Sequence, residues 1–139
     1  MAFQEILHAI TLEADASLGG YTGVPGLPGS AEPNGGNQYR FVKVTGAVTV
    51  GLADATADEV VVGVLQNKPQ DAGHAATVAC WGVSKVVAGG DVAAGEPVKV
   101  SNDGRAVLAT LPTDAASKVG VAVTAGAADE LISVLLQVS

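Results

Sequence analysis

Short valine-rich runs, each closed by glycine or by an Asn/Asp-Gly turn, recur along most of the chain and restrict its fold more than any other feature. Valine branches at Cβ, which suits a pleated surface better than a helix. Candidate strands fall at 39–44, 47–52, 60–65, 75–81, 83–87, 97–100, 105–110, 118–123 and 130–138. Turn material separates them at Thr45-Gly46, Asp71-Ala72-Gly73, Gly89-Gly90, Asn102-Asp103-Gly104 and Gly126. Closely spaced strands of this kind predict an all-β barrel, sandwich or related compact fold. The clearest turn is Ser101-Asn102-Asp103-Gly104: Asn and Asp tolerate left-handed backbone angles and Gly adopts them freely, so PVKV and RAVLAT should form a hairpin. In the last run Ile132, Val134, Leu136 and Val138 share one face, which predicts a well-buried strand.

Size and charge narrow the function. The 139 residues are 48% hydrophobic and only 15% charged, enough to bury the core of one domain and unlike a disordered chain. The formal charge is −7, from 14 acidic and 7 basic residues, and no basic block exists. Nucleic-acid binders cluster Lys and Arg against phosphate, so direct DNA or RNA binding is not expected. No apolar run approaches the length of a bilayer span, and the first residues lack the charged and apolar regions of a secretory signal. Cys80 is the only cysteine, which leaves no internal disulfide.

The character of the chain changes near Gly36. Residues 21–36 hold three of the six prolines, several glycines and no Lys or Arg, as expected of an extended loop or arm. Residues 3–12 fit helical spacing through Phe3, Ile6 or Leu7, and Ile10; they fit strand alternation through Ile6, His8, Ile10 and Leu12. Thr11 and the polar break after Leu12 tilt the choice to strand. The division is thus an extended N-terminal arm over 1–36 and a β-rich domain over 37–139. Ile6, Leu7, Ile10, Leu12, Tyr21, Val24 and Leu27 are more apolar than a passive linker requires, and Phe3, Ile6, Leu7, Leu12, Tyr21, Val24 and Leu27 are the candidate contacts with a partner or another subunit.

The catalytic inventory is thin. His8 and His74 fit no metal-ligand pattern; His74 is expected at the surface and His8 in packing or an interface. Cys80 sits in an apolar strand and is expected to be a buried structural thiol. Trp81 is a core-edge residue or an interface anchor. Asp58-Glu59 and Asp129-Glu130 are sequence neighbours, which on a strand point to opposite faces, so neither is a natural acid–base pair. Both precede apolar runs, where charge marks a strand start or protects an edge. Phosphate-cradling glycine motifs are absent. No catalytic residue, metal site or cofactor is therefore assigned, and the expectation is a non-enzymatic protein that works by assembly.

One stretch carries a family likeness. The pieces GVLQNKP (63–69), GVSKV (82–86), AGEPVKV (94–100) and NDGRA (102–106) follow one another in an order that resembles the small capsid decoration, or cement, proteins of tailed bacteriophages. QYRFVKVTG (38–46), the 120–122 step and ELISVLLQ (130–137) fit as well, so the resemblance spans about residues 38–138. It implies a compact β-barrel-like or β-tulip domain on the outer surface of a virion capsid. Such a domain binds the major capsid protein, often as a trimer at or near local three-fold sites, and stabilises contacts between capsid subunits. It implies no active site and no membrane or nucleic-acid partner. The alternative is a receptor- or carbohydrate-binding β module, which would bind a defined ligand on its own.

Overall fold

The computed structural model describes residues 5–18, 37–56, 59–69 and 72–137, with side chains described from His8 onward. The fold is all-β, as expected. Its strands are β1 (Glu5–Ala14), β2 (Phe41–Val44), β3 (Thr49–Leu52), β4 (Val61–Leu65), β5 (Ala75–Val87), β6 (Pro97–Val100), β7 (Ala106–Leu108), β8 (Lys118–Ala122) and β9 (Leu131–Leu136). A single 3₁₀ turn, Ala115–Ser117, precedes β8. The hydrogen-bonded order is β1-β3-β2-β4-β5-β9-β8-β6-β7, and a further β1–β5 pairing closes the first five strands into a barrel. The remaining four form an outer sheet that continues from β5.

This layout follows from β5. Read from composition, 75–81 and 83–87 are two strands broken at Gly82; they form one strand of 13 residues. Gly82 sits at φ 105°, where a side chain would be strained, and it bends the strand without ending it. Up to Trp81 β5 pairs with β1 and β4; from Gly82 onward it pairs with β9, through Gly82↔Leu136 to Val87↔Leu131, while β1 reaches past Gly82 only at Glu5↔Val83. One strand thus serves both the barrel and the outer sheet.

Two apolar clusters result, and alternate residues of the shared strands divide between them. Val42, Val50, Leu65, Ala76 and Val78 fill the barrel together with Ala14 and Leu18. Their neighbours Phe41, Val64 and Ala79 face the other way and meet Val86, Val98, Ile132, Val134 and Leu136 of the outer sheet. Strands β2, β4 and β5 are buried on both faces, which explains why their sequences run apolar instead of alternating. The hairpin at Asn102-Asp103-Gly104 forms as expected, joining antiparallel β6 and β7 with Gly104 at φ 77°. The closing strand also matches expectation on its inner face, where Ile132, Val134 and Leu136 are buried.

The N-terminal stretch takes the strand alternative. Strand β1 runs antiparallel to β5 from Glu5↔Val83 to Glu13↔Ala75 and touches β3 in parallel at Glu13 and Ala14. A boundary at residue 36 therefore separates a barrel strand from its barrel, and deleting 1–36 would remove one wall together with buried Ala14 and Leu18. Residues 19–36, with Tyr21, Val24 and Leu27, lie outside the described residues, as does Phe3.

Candidate docking surface

The candidate site is built where β1 crosses β5. Trp81 is 58% exposed. The pleat sets it on the strand face opposite its neighbours Cys80 and Gly82. The ring of His8 meets it edge-on, with centroids 5.0 Å apart and planes at 65°. A shift in register between His8↔Trp81 and Ala9↔Ala79 aligns the two rings. Two residues along β1, Ile10 is 43% exposed. Beyond the bend, Val83 pairs with Leu135, which pairs with Val121, which pairs with Pro97. This row crosses the outer face of the second sheet, and its Leu135 is 41% exposed.

The structure sorts the candidate contact residues. Trp81 lies on this surface and is not enclosed in either apolar cluster. Leu12 is half-buried and packs on the barrel cluster, so it is a structural residue. Ile6 and Leu7 lie in β1, but their side chains are outside the description. His8 is exposed and packs edge-on against Trp81, and His74 is exposed. Cys80 is half-buried, with its Sγ 3.6 Å from the His8 carbonyl oxygen, and so is less enclosed than its apolar sequence context predicts. Ile10 and Leu135 were not chosen as contacts: Ile10 alternates with His8 and Leu12, and Leu135 lies in a strand expected to be well buried.

Several ion pairs hold loops against strands. Lys43 Nζ lies 3.0 Å from Asp54 and 3.5 Å from Glu59, closing the loop after β3 onto β2. Arg105 bridges Asp103 at 2.9 Å and Asp129 at 2.6 Å, tying the β6–β7 hairpin to the turn before β9. Lys99 holds Asp114 at 3.0 Å. An open groove of about 560 Å³ is lined by Val92, Leu108, Gly126 and carboxylates that include Glu96 and Glu130. Both of these carboxylates accept hydrogen bonds from their own loops, from the Ala93 and Ala127 amides. Among the described residues no group of His, Cys, Asp and Glu is placed to hold a metal ion.

Three of these aspartates are held below the ordinary carboxylate value of 3.8. For Asp54 the causes are hydrogen bonds from the Thr56 hydroxyl and from Lys43. For Asp103 burial pushes upward, but the Ser101 hydroxyl and Arg105 outweigh it. For Asp114 the causes are the Thr110 amide and then Lys99. A depressed pKa in the folded state gives stability that is present above the unfolded value and lost as pH falls through the folded one. The thermal midpoint should therefore stay level down to about pH 5 and drop below about pH 4. Asp103→Asn should flatten part of that drop; an acid profile identical to the parent's would remove Asp103 from the account.

Comparison with known proteins places the fold. No protein-family model matches the chain, and no curated protein matches it. A solved structure does: the N base of head fiber gp8.5 of bacteriophage phi29. The two chains share 19% identity with a TM-score of 0.60, over 96% of this chain and 97% of that one. The class defined is thus an all-β, barrel-containing fold shared with that head-fiber base.

Proposed function

We propose that this chain is a non-enzymatic structural protein of a phage head surface, docking there through its β domain. The observation that carries this reading is the near-complete overlap in fold with the N base of a phage head fiber. The exposed Trp81–His8 pair supports it, since a large aromatic ring at the surface of a well-packed domain is what protein interfaces use as an anchor. In this reading the partner is the major capsid protein, the location is the outer capsid, and self-association as a trimer places the domain at or near local three-fold sites.

Within the reading, a fiber base is favoured over a stand-alone cement protein because the matching structure is a base by its printed name. A base carries something outward, which brings in the receptor- or carbohydrate-binding alternative. Purified heads lacking the protein, mixed with the full chain and sedimented, test both roles. Co-sedimentation with no change in the heads' resistance to heat supports a base; co-sedimentation with raised resistance supports cement. Heads that stay bare would overturn the head-surface reading and send the protein to a glycan-binding screen. Trp81→Ala should weaken co-sedimentation about tenfold or more, with an unchanged thermal midpoint.

A further inference from the structure

We infer that the groove between the loops before β6 and β9 is a docking site for an arginine- or lysine-bearing segment of a different protein chain. The groove lies on an internal two-fold relation. Ala93-Ala94-Gly95-Glu96 and Ala127-Ala128-Asp129-Glu130 are the same turn built twice. In each, the glutamate amide donates to the carbonyl of the first alanine, at 3.2 and 3.1 Å, and the third residue has a positive φ, 88° at Gly95 and 68° at Asp129. Each turn is seated at the end of a strand, β8 or β5. The third residue's amide donates to the carbonyl, and the glutamate carbonyl accepts from the amide, of Ala122 in one turn and Ala88 in the other. The strand pairings keep the relation, since Val87↔Leu131 and Val86↔Ile132 match Val121↔Pro97 and Gly120↔Val98. Its axis runs through the bridge between Val92 and Gly126, whose amides each donate to the other's carbonyl.

The groove opens over this bridge. Its lining takes both members of the pairs Val92 and Gly126, Ala93 and Ala127, and Glu96 and Glu130, with Leu108 as an apolar wall that has no counterpart. Leu108 is 43% exposed, so apolar surface is left to be covered. The two glutamates stand on either side of the axis. The Ala93 amide donates to Glu96 Oε2 at 2.9 Å, and the Ala127 amide to Glu130 Oε1 at 2.6 Å. These bonds fix both carboxylates and leave the second oxygen of each without a donor among the described residues. Asp91, which is exposed, adds a third carboxylate to the lining. None of the three takes part in an ion pair among the described residues.

The occupant follows from charge, because interfaces set positive groups against negative ones. A metal ion does not fit, since among the described residues no three acidic groups are placed to hold one. Nor does the chain supply the cation itself: its 7 Lys and Arg all lie among the described residues, and none lines the groove. A second copy is equally poor. It carries the same formal charge of −7, its basic residues are scattered singly, and Arg40, Lys43, Lys99 and Arg105 are spent in ion pairs. A thin diamine would meet the carboxylates but leave Leu108 uncovered. The fitting partner is a foreign segment with an apolar side chain over Leu108 and the Val92–Gly126 bridge, and a basic residue on each side to meet Glu96 and Glu130. Arginine suits best, because its planar guanidinium pairs with a carboxylate in a fixed fork. This inference deepens the head-surface reading and rests on it only for where that partner resides.

Peptide titration of the full chain, followed by amide NMR shifts resolved by residue, tests it without any phage head, so its failure and a failure of head binding are separate results. The probe is acetyl-RTLTR-amide, whose arginine and leucine side chains share one face when extended. It should shift the Ala93, Gly126 and Ala127 amides and bind more weakly as salt rises. Glu96→Gln and Glu130→Gln each keep an oxygen for the turn's amide, so both should hold the parent's thermal midpoint. Each should weaken binding by about fivefold, the upper scale of one exposed ion pair. Near-equal losses are the mark of the two-fold relation. Leu108→Ala should weaken binding as well, whereas Glu13→Gln, on β1 and outside the groove, should leave it unchanged. Acetyl-STLTS-amide should not bind. No shift at any concentration of acetyl-RTLTR-amide would overturn the inference, as would unchanged binding in both glutamine variants or equal binding of the serine peptide. So would butane-1,4-diamine shifting the same amides as tightly as the peptide, which would assign the groove to a small amine.

Discussion

Phe41→Ala is expected to destabilise the domain by about 3–5 kcal/mol, the range for emptying a fully enclosed aromatic site. Phe41 is completely buried and belongs to the cluster between barrel and outer sheet. Its backbone works at the same junction. The Phe41 amide donates to the Gly104 carbonyl of the β6–β7 hairpin, and the Phe41 carbonyl accepts from the Ala53 amide. The cavity cannot collapse easily, because the strands around it are held on both faces. A loss of this size is a large share of the ~5–15 kcal/mol that domains of this class possess, so the urea midpoint should fall steeply while the dependence on denaturant stays the same. Phe41→Leu, which keeps most of the volume, should lose about 1–2 kcal/mol. Equal losses for the two variants would mean that the junction is loosely packed and that the barrel is stable without the outer sheet.

How much of this could be read in the sequence depends on what each residue type reports. Valine spacing and the Asn102-Asp103-Gly104 turn gave strand positions and one hairpin, because branching at Cβ and a left-handed turn are local constraints. Partner choice is not local. Nothing in AATVACWGVSKVV distinguishes a strand broken at Gly82 from one that bends there and changes sheets; the difference lies in Leu136, which pairs with Gly82 from more than fifty residues away. Burial on both faces hid the outer surface for the same reason. Val42 and Phe41 look alike by hydropathy but enter different clusters, and Ile10 and Leu135 look like core yet are exposed. Trp81 was legible as a candidate because a lone tryptophan is conspicuous. His8 was placed in packing or an interface from its apolar neighbours, but its contact with Trp81 depends on an irregularity in register that sequence does not show. Leu12, chosen as a contact from the apolarity of its segment, turned out to serve the barrel, since β1 is a wall and not a tether.

Gly63→Ala should cost about 3 kcal/mol or more, the upper end for forcing atoms into a packed site. Gly63 pairs with Val42 across β2 and is buried against the crossing of β4 and β5. A Cβ there would overlap the carbonyl oxygen of Ala79, lie 2.8 Å from its carbonyl carbon and 3.1 Å from the Cys80 Cα. These are backbone atoms, so no rotamer change relieves the overlap. Nor can β5 retreat, because Ala79 is paired with Val64 on one side and Ala9 on the other. Gly90→Ala is the matching control: its Cβ would meet nothing within 4 Å, and its stability should stay within about 0.5 kcal/mol of the parent. A Gly63→Ala protein of normal stability would show that the barrel is slack at this closure. The position also separates the two ways of losing docking. Ala79 lies two residues before Trp81, so displacing β5 at Gly63 should disturb the Trp81–His8 pair and lower stability together, whereas Trp81→Ala should lower docking alone. Partner binding that falls in Gly63→Ala in proportion to its unfolded fraction, yet falls in Trp81→Ala with every molecule folded, would assign the indole to contact and the glycine to the frame that holds it.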